Sequence, residues 1–187
     1  MTHYDPWVQV RTCHDFAADE VISALQKEIR RGHAENAALL AYEMYQTSAE
    51  LENYLWKRLL VISVEDVGLG NPQAAESVHH LYQIHLLYER SEGDRLLFAI
   101  HAVRLLCASP KDRSTDEMVN WIKHEVDQGS LRAEIPDYAL DMHTARGKAL
   151  GRGPRYFWEV AAQLSPEWAE RDITYRQRML DILDKLD

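Results

Sequence analysis

Glycine and proline punctuate this sequence at the edges of its apolar segments. There are 8 glycines and 6 prolines among 187 residues. Nearly all stand where a run of apolar residues spaced three or four apart breaks off. A mid-helix glycine costs ~1 kcal/mol and a proline ~3 kcal/mol, so the segments between them are free to be helical and the interrupting residues act as stops and starts. An apolar period near 3.6 with such stops predicts an all-α fold of about eight or nine helices.

Along the chain the pattern predicts a helix over 17–31, with Ile22, Leu25 and Ile29 on one face and Gly32 as its stop. A second helix over 34–45 carries Ala37, Ala38 and Ala41, small enough for another helix to approach closely. Thr47 and Glu50 fit a capping box. The helix after them aligns Leu51, Leu55, Leu59 and Ile62 and ends at Gly68. Asn71-Pro72 reads as a cap followed by proline in the first turn, opening a helix to about Arg90 with Val78, Leu81, Ile84 and Tyr88 inward. The segment 95–108 is the most apolar, and Pro110 stops it. Ser114 to Glu117 is a second capping box, for a helix ending before Gly129. Asp137 is expected to cap a helix through Leu150, with Pro154 and Pro166 each opening another. The last segment, Trp168 to Leu186, is amphipathic through Ile173, Met179, Leu180 and Ile182. Only Trp7 to Arg11 alternates like a short strand or an extended arm.

Hydrophobic residues make up 46% of the chain and charged residues 27%, which excludes a disordered polymer. No apolar run approaches the ~18 residues of a membrane span, so no membrane partner is expected. Met1 to Pro6 lacks the basic and apolar regions of a signal peptide, and Met1 is the start expected of a complete chain. The two cysteines, Cys13 and Cys107, are too few for a disulfide scaffold and match no zinc spacing. A reducing cytoplasm is the expected compartment. The net charge is −9, from 21 basic and 30 acidic residues. That argues against a surface that is basic throughout and leaves nucleic-acid binding to one local patch.

Three segments carry a family resemblance. They are Ser23 to Gly32 followed by Ala37-Ala38-Leu39; Arg58-Leu59-Leu60 with Glu65-Asp66-Val67-Gly68-Leu69 and Asn71-Pro72-Gln73-Ala74; and Ala108-Ser109-Pro110-Lys111. In order and spacing they resemble the C-terminal helical region of the replication-associated recombination protein A family, clamp-loader-like AAA+ ATPases. Ile135-Pro136 through Leu150-Gly151 resembles the stretch near that family's C-terminus. The resemblance implies one helical domain over 1–187, with a collar-like region at 19–156 and a C-terminal helical extension at 157–187. In the family this region packs beneath an ATPase module and holds subunits together, and the family acts at stalled or damaged replication forks on DNA ends or single strands. The implied function is therefore an oligomerisation or interaction module in DNA replication or repair. The implied partners are further copies of itself, a separate ATPase subunit, or single-stranded DNA.

The ATPase module itself is missing from the sequence. The nearest approach to a P-loop is Gly147-Lys148, with Ala149 after it and Met142 where the first glycine belongs. No apolar strand ends in an acid to serve as a Walker B. ATP hydrolysis and a bound cofactor are not expected. The family's aromatic and histidine-rich tail is also unmatched by Gly153 to Trp158.

Two stretches are candidates for a site. Glu65 to Pro72 could hold a cation or a basic partner through its adjacent acids. Those acids could equally pair with Lys57 or Arg58, leaving Gly68 and Asn71 as helix caps. In the second stretch, Arg146, Lys148, Arg152 and Arg155 form a run without acids from Met142 to Phe157. With Gly151 and Gly153 beside them they suit a phosphate or a nucleic acid. They would equally complement a helix C-terminus. On a helix, Asp137, Asp141 and Lys148 fall near one face. With His143 and Arg146 they form the alternative, a phosphate- or metal-binding ligand site or enzyme, although Asp141 and His143, two apart, would not lie side by side. No catalytic residue and no metal site is assigned. His79, His80, His85 and His101 read as ordinary half-buried histidines. Trp121, Trp158, Trp168, Tyr156 and Phe157 read as core rather than as base-stacking platforms.

Overall fold

A computed structural model of the chain describes residues 6–186. It falls into two compact units, Met1–Ser130 and Leu131–Asp187. Among the described residues every regular element is helical, and the one β-bridge joins Arg11 to Ala17. The expected strand at Trp7 to Arg11 is instead a 3-10 turn over Pro6–Gln9 leading into that bridge.

Among the described residues the first unit holds six α-helices: α1 (Ala18–Arg31), α2 (Ala34–Thr47), α3 (Ala49–Ile62), α4 (Ala74–His85), α5 (Arg95–Ala108) and α6 (Ser114–Asp127). α1 packs on α2, α2 on α3 and α5, and α4 on α5. The core is the joined apolar faces of the first five: Val21, Leu25 and Ile29 of α1, Ala37 and Ala41 of α2, Leu51, Leu55, Trp56 and Leu59 of α3, Val78 of α4, and Ala102, Val103 and Leu106 of α5. Ala37 and Ala41 are fully buried, as expected of a face that lets a neighbour come close. Gly32 closes α1 at φ +77°, a left-handed position where a side chain is strained. His33 N–H then returns to the Glu28 carbonyl at 3.0 Å.

Several boundaries moved, each for a local reason. The α3 cap is Ser48, whose hydroxyl accepts from Leu51 N–H at 3.1 Å. Thr47 remains in α2 and turns its hydroxyl back to the Glu43 carbonyl. Asn71 does not cap α4, because its side chain donates to Ser109 Oγ, and the helix starts three residues later at Ala74. α4 also stops at His85 rather than near Arg90. There the chain turns so that Arg90 and Arg95 both reach the buried carboxylate of Glu52, at 2.8 and 2.7 Å. His85, not Ile84, is the inward residue of that turn.

The second unit is built from a 3-10 turn at Asp137–Ala139, α7 (Ala145–Ala149), α8 (Pro154–Tyr156) running into a π-helical turn at Phe157–Ala161, and α9 (Thr174–Leu183). The expected helix from Asp137 to Leu150 does not form. Thr144 is extended and caps α7 by accepting from Gly147 N–H at 2.9 Å. Proline opens α8 as expected, but no helix begins at Pro166. Among the described residues no helix is long and apolar enough to cross a membrane.

Candidate functional site

The two stretches singled out in the sequence have different fates. Glu65 to Pro72 forms a joint inside the first unit. α3 continues through a π-helical turn over Ser63–Val67 to Gly68, at φ +50°. A Cβ on Gly68 would stand 2.3 Å from the Asp112 carbonyl oxygen, and one on Gly70 2.6 Å from that of Pro110. Both glycines therefore let the backbone of 110–112 press against this turn. Asp112 N–H donates to the carbonyls of Asp66 and Val67 at 3.0 and 3.1 Å. Asp66 is fully buried and accepts from Arg30, from Arg113 at 2.7 Å and from Gln26 at 3.0 Å. Glu65 takes Gln26 at 2.7 Å and Arg113 at 3.4 Å. Lys111 closes the same joint by donating to the carbonyls of Leu106 and Cys107 at the end of α5. These acids are satisfied by cations of α1 and of the segment before α6, so the pairing reading describes them, with Arg30 and Arg113 as the main partners, Arg58 4.0 Å from Glu65, and no pairing with Lys57 among the described residues.

The basic stretch lies in the second unit. Arg152 donates from Nη2 to both carboxylate oxygens of Asp137, at 2.8 and 2.7 Å, and from Nη1 to the carbonyls of Asp137 and Leu140. Its guanidinium stands 4.3 Å over the Tyr156 ring. The hydrogen bonds from Arg152 hold the Asp137 carboxyl below its usual range. Arg155 bridges Glu159 and Asp184, each at 2.9 Å. Asp141 accepts from the backbone N–H and ring Nδ1 of His143, at 2.9 and 3.0 Å, and these bonds lower its pKa. Without a helix here, the two-residue spacing that would have parted Asp141 from His143 brings them together in a turn. Arg146 and Lys148 are exposed, and neither side chain carries an ion pair or a hydrogen bond among the described residues.

The aromatic and histidine expectations need correction. Trp121 and Trp168 are 52% and 70% exposed, so neither is core, while Trp56 is the tryptophan buried at the centre of the first unit. His79, His80 and His101 are exposed. His85 is buried, with Nε2 2.8 Å from Glu52 Oε1 and Nδ1 3.1 Å from the Arg95 carbonyl. Burial pushes its pKa down.

Sequence reasoning missed two clusters. Glu52 gathers His85, Arg90 and Arg95 from 33 to 43 positions away, a range that no periodicity reports. Cys13, His14 and Glu43 bring their donor atoms within 4.8 Å of one another. The only sequence signal was the adjacent Cys-His pair.

A family model described as the MgsA AAA+ ATPase C terminal matches residues 32–177. Replication-associated recombination protein A of Bacillus subtilis is 35% identical over 146 residues, covering 76% of this chain and 34% of that protein. The protein of the same name from Haemophilus influenzae is 30% identical over 142 residues, covering 73% of this chain and 30% of that protein. The one from Escherichia coli K12 is 29% identical with the same coverage. The chain thus spans about a third of the length of the curated relatives it matches.

Proposed function

The chain belongs to the MgsA AAA+ ATPase C-terminal family, and from that membership we propose that it is a non-enzymatic oligomerisation module acting in DNA replication or recombination. The matched region is the part of those proteins outside the ATPase module, in keeping with the missing P-loop.

One observation carries the oligomerisation reading. α6 is a 14-residue helix without a buried residue. Met118, Val119, Trp121, Ile122 and Val126 nevertheless share one side of it, each between 41 and 59% exposed. An amphipathic helix is stabilised by burying its apolar face, and an exposed apolar patch rimmed by polar residues marks an interaction site. Val119 also lines an open groove of about 440 Å³ with Val61 and Val64, so the apolar surface extends beyond the helix. A second copy of the chain is the occupant proposed. An interface of at least ~1,000 Å² in total is then required.

Sedimentation velocity over a concentration series tests this. The wild type should associate. The double variant Trp121→Asp with Ile122→Asp should weaken association by at least ~30-fold, because a central aromatic anchor contributes ~2 kcal/mol or more. Both side chains are exposed, so the fold should survive. Identical sedimentation of variant and wild type would remove α6 from the interface.

A contact with single-stranded nucleic acid is a second part of the reading, favoured by the exposed and unengaged Arg146 and Lys148. Arg152 and Arg155 are committed to Asp137, Glu159 and Asp184. Each phosphate neutralised on a single strand should contribute roughly −0.7 to the log–log salt slope. Arg146→Ala with Lys148→Ala should flatten the slope by roughly 1.4 if both engage phosphate. The chain's net charge of −9 keeps affinity modest, so the measurement belongs at low ionic strength. An unchanged slope places the contact elsewhere. The alternative of a ligand- or metal-binding enzyme around Asp141, His143, Arg146 and Lys148 is less favoured, because among the described residues no third metal-ligating side chain joins Asp141 and His143 and neither Arg146 nor Lys148 pairs with them.

A further inference from the structure

The turn before α1 is fastened to the C-terminal half of α2. Asp15, at φ +65°, reverses the chain, and its N–H donates to the Thr12 carbonyl at 2.9 Å. Cys13 N–H donates to Thr47 Oγ1 and His14 N–H to Glu43 Oε1, both at 3.1 Å. Two successive backbone amides are thus held by α2, and the side chains of Cys13 and His14 are aimed at Glu43. Cys13 Sγ lies 3.4 Å from His14 Nδ1 and 3.5 Å from Glu43 Oε1. His14 Nδ1 is 2.6 Å from Glu43 Oε2.

We propose that Cys13 Sγ, His14 Nδ1 and a carboxylate oxygen of Glu43 form a binding site for a zinc-class divalent cation, with its fourth position open to solvent. The donor set selects the metal. A thiolate with an imidazole disfavours magnesium and calcium, which take oxygen ligands, and suits zinc. The geometry fits as well. Bonds of ~2.3 Å to sulfur and ~2.0–2.1 Å to nitrogen and oxygen give tetrahedral edges of ~3.5 Å to the sulfur and ~3.4 Å between nitrogen and oxygen. The two edges that include sulfur already have that length. The sulfur faces Glu43 Oε1, whereas His14 Nδ1 now lies 2.6 Å from the other oxygen, Oε2; that hydrogen bond must give way for Nδ1 and Oε1 to share an ion, and the His14 side chain is 67% exposed.

Glu43 is nearly buried. Its carboxylate is held in place by the His14 backbone N–H and by the side chains of Cys13 and His14 before any ion arrives. On binding, the thiol proton of Cys13 leaves to solvent and the neutral imidazole carries its proton on Nε2. A nucleophilic cysteine relay does not fit the same three residues. Such a relay uses one ring nitrogen for the thiol and the other for the carboxylate, whereas here Nδ1 meets both.

The test uses the full chain, stripped with chelator and titrated with Co²⁺ as a spectroscopic probe. One equivalent should produce tetrahedral visible bands and a thiolate charge-transfer band in the near ultraviolet, and Zn²⁺ should displace both. Cys13→Ser should abolish the thiolate band, and Cys107→Ala should keep it. His14→Ala removes an exposed side chain, so its fold should persist. Its Co²⁺ affinity should fall by more than the ~10–100-fold typical of losing a group that only orients a ligand. The proposal is overturned by the absence of a thiolate band at one equivalent, by a band that survives in Cys13→Ser, or by wild-type affinity in His14→Ala.

Discussion

Replacing Glu52 with alanine should cost about 3–5 kcal/mol of stability, the range for removing one partner from a buried ion pair. The Glu52 side chain is 2% exposed and carries three cationic or histidine partners, at 2.7 to 2.8 Å. Removing it takes the charged partner from the Arg95 guanidinium, 13% exposed, and the Nε2 contact from the buried His85 ring, leaving both with backbone carbonyls alone. Arg90 is 40% exposed and can turn to water, so most of the loss comes from the other two. Domains of this size hold only about 5–15 kcal/mol in total, so a third or more of the margin is at stake. Urea denaturation followed by far-ultraviolet circular dichroism reads the effect as a lowered midpoint. Glu52→Gln, which keeps one acceptor oxygen, should fall between variant and wild type. A loss below about 1 kcal/mol, the range of an exposed pair, would show that the cluster is effectively solvated.

The second large effect has a sign that separates structure from sequence. Alanine favours a helix interior over glycine by about 1 kcal/mol, so propensity alone predicts that Gly147→Ala stabilises the chain. The structure predicts the reverse. A Cβ at Gly147 would stand 1.8 Å from the carbonyl oxygen of Asp141 and 2.7 Å from its nitrogen. These are backbone atoms and cannot be rotated away. The cost should exceed the ~1–3 kcal/mol of ordinary overpacking, because α7 and the Asp141 turn cannot both keep their places. Hydrogen exchange should show lost protection within Leu131–Asp187 and unchanged protection through α1 to α5. Unaltered or increased protection at 137–152 would mean that Asp141 and Gly147 are not in contact.

Those two residues also show how far the sequence was legible. α5 begins at Arg95 and ends at Ala108 as its apolar run and Pro110 imply, because a strongly apolar run and a proline stop are local signals. α1 is likewise set by its own periodicity and by Gly32. The failures lie where distant groups decide. α4 ends at His85 because Glu52, on another helix, draws Arg90 and Arg95 around the turn. The helix expected over 137–150 yields to the Thr144 cap and to a backbone contact that only Gly147 permits. Glu65 to Pro72 was legible as a motif but not in its role. Its glycines matter for their closeness to residues 110–112, some 40 positions on. Trp121 reads as core from its residue type, which is silent on what covers it, and the fold leaves it 52% exposed on α6. The basic run was legible as charge. Which of its members are engaged depends on Asp137, Glu159 and Asp184, and only the fold brings those close.

Under the proposed function the exposed side of α6 is covered by a second copy of this chain. Static light scattering of the purified protein at tens of micromolar measures that directly. The mass should be a multiple of 21.7 kDa greater than one, falling toward a single chain in Trp121→Asp with Ile122→Asp. A wild-type mass of 21.7 kDa at every concentration would contradict it and leave a separate ATPase subunit as the candidate for that face.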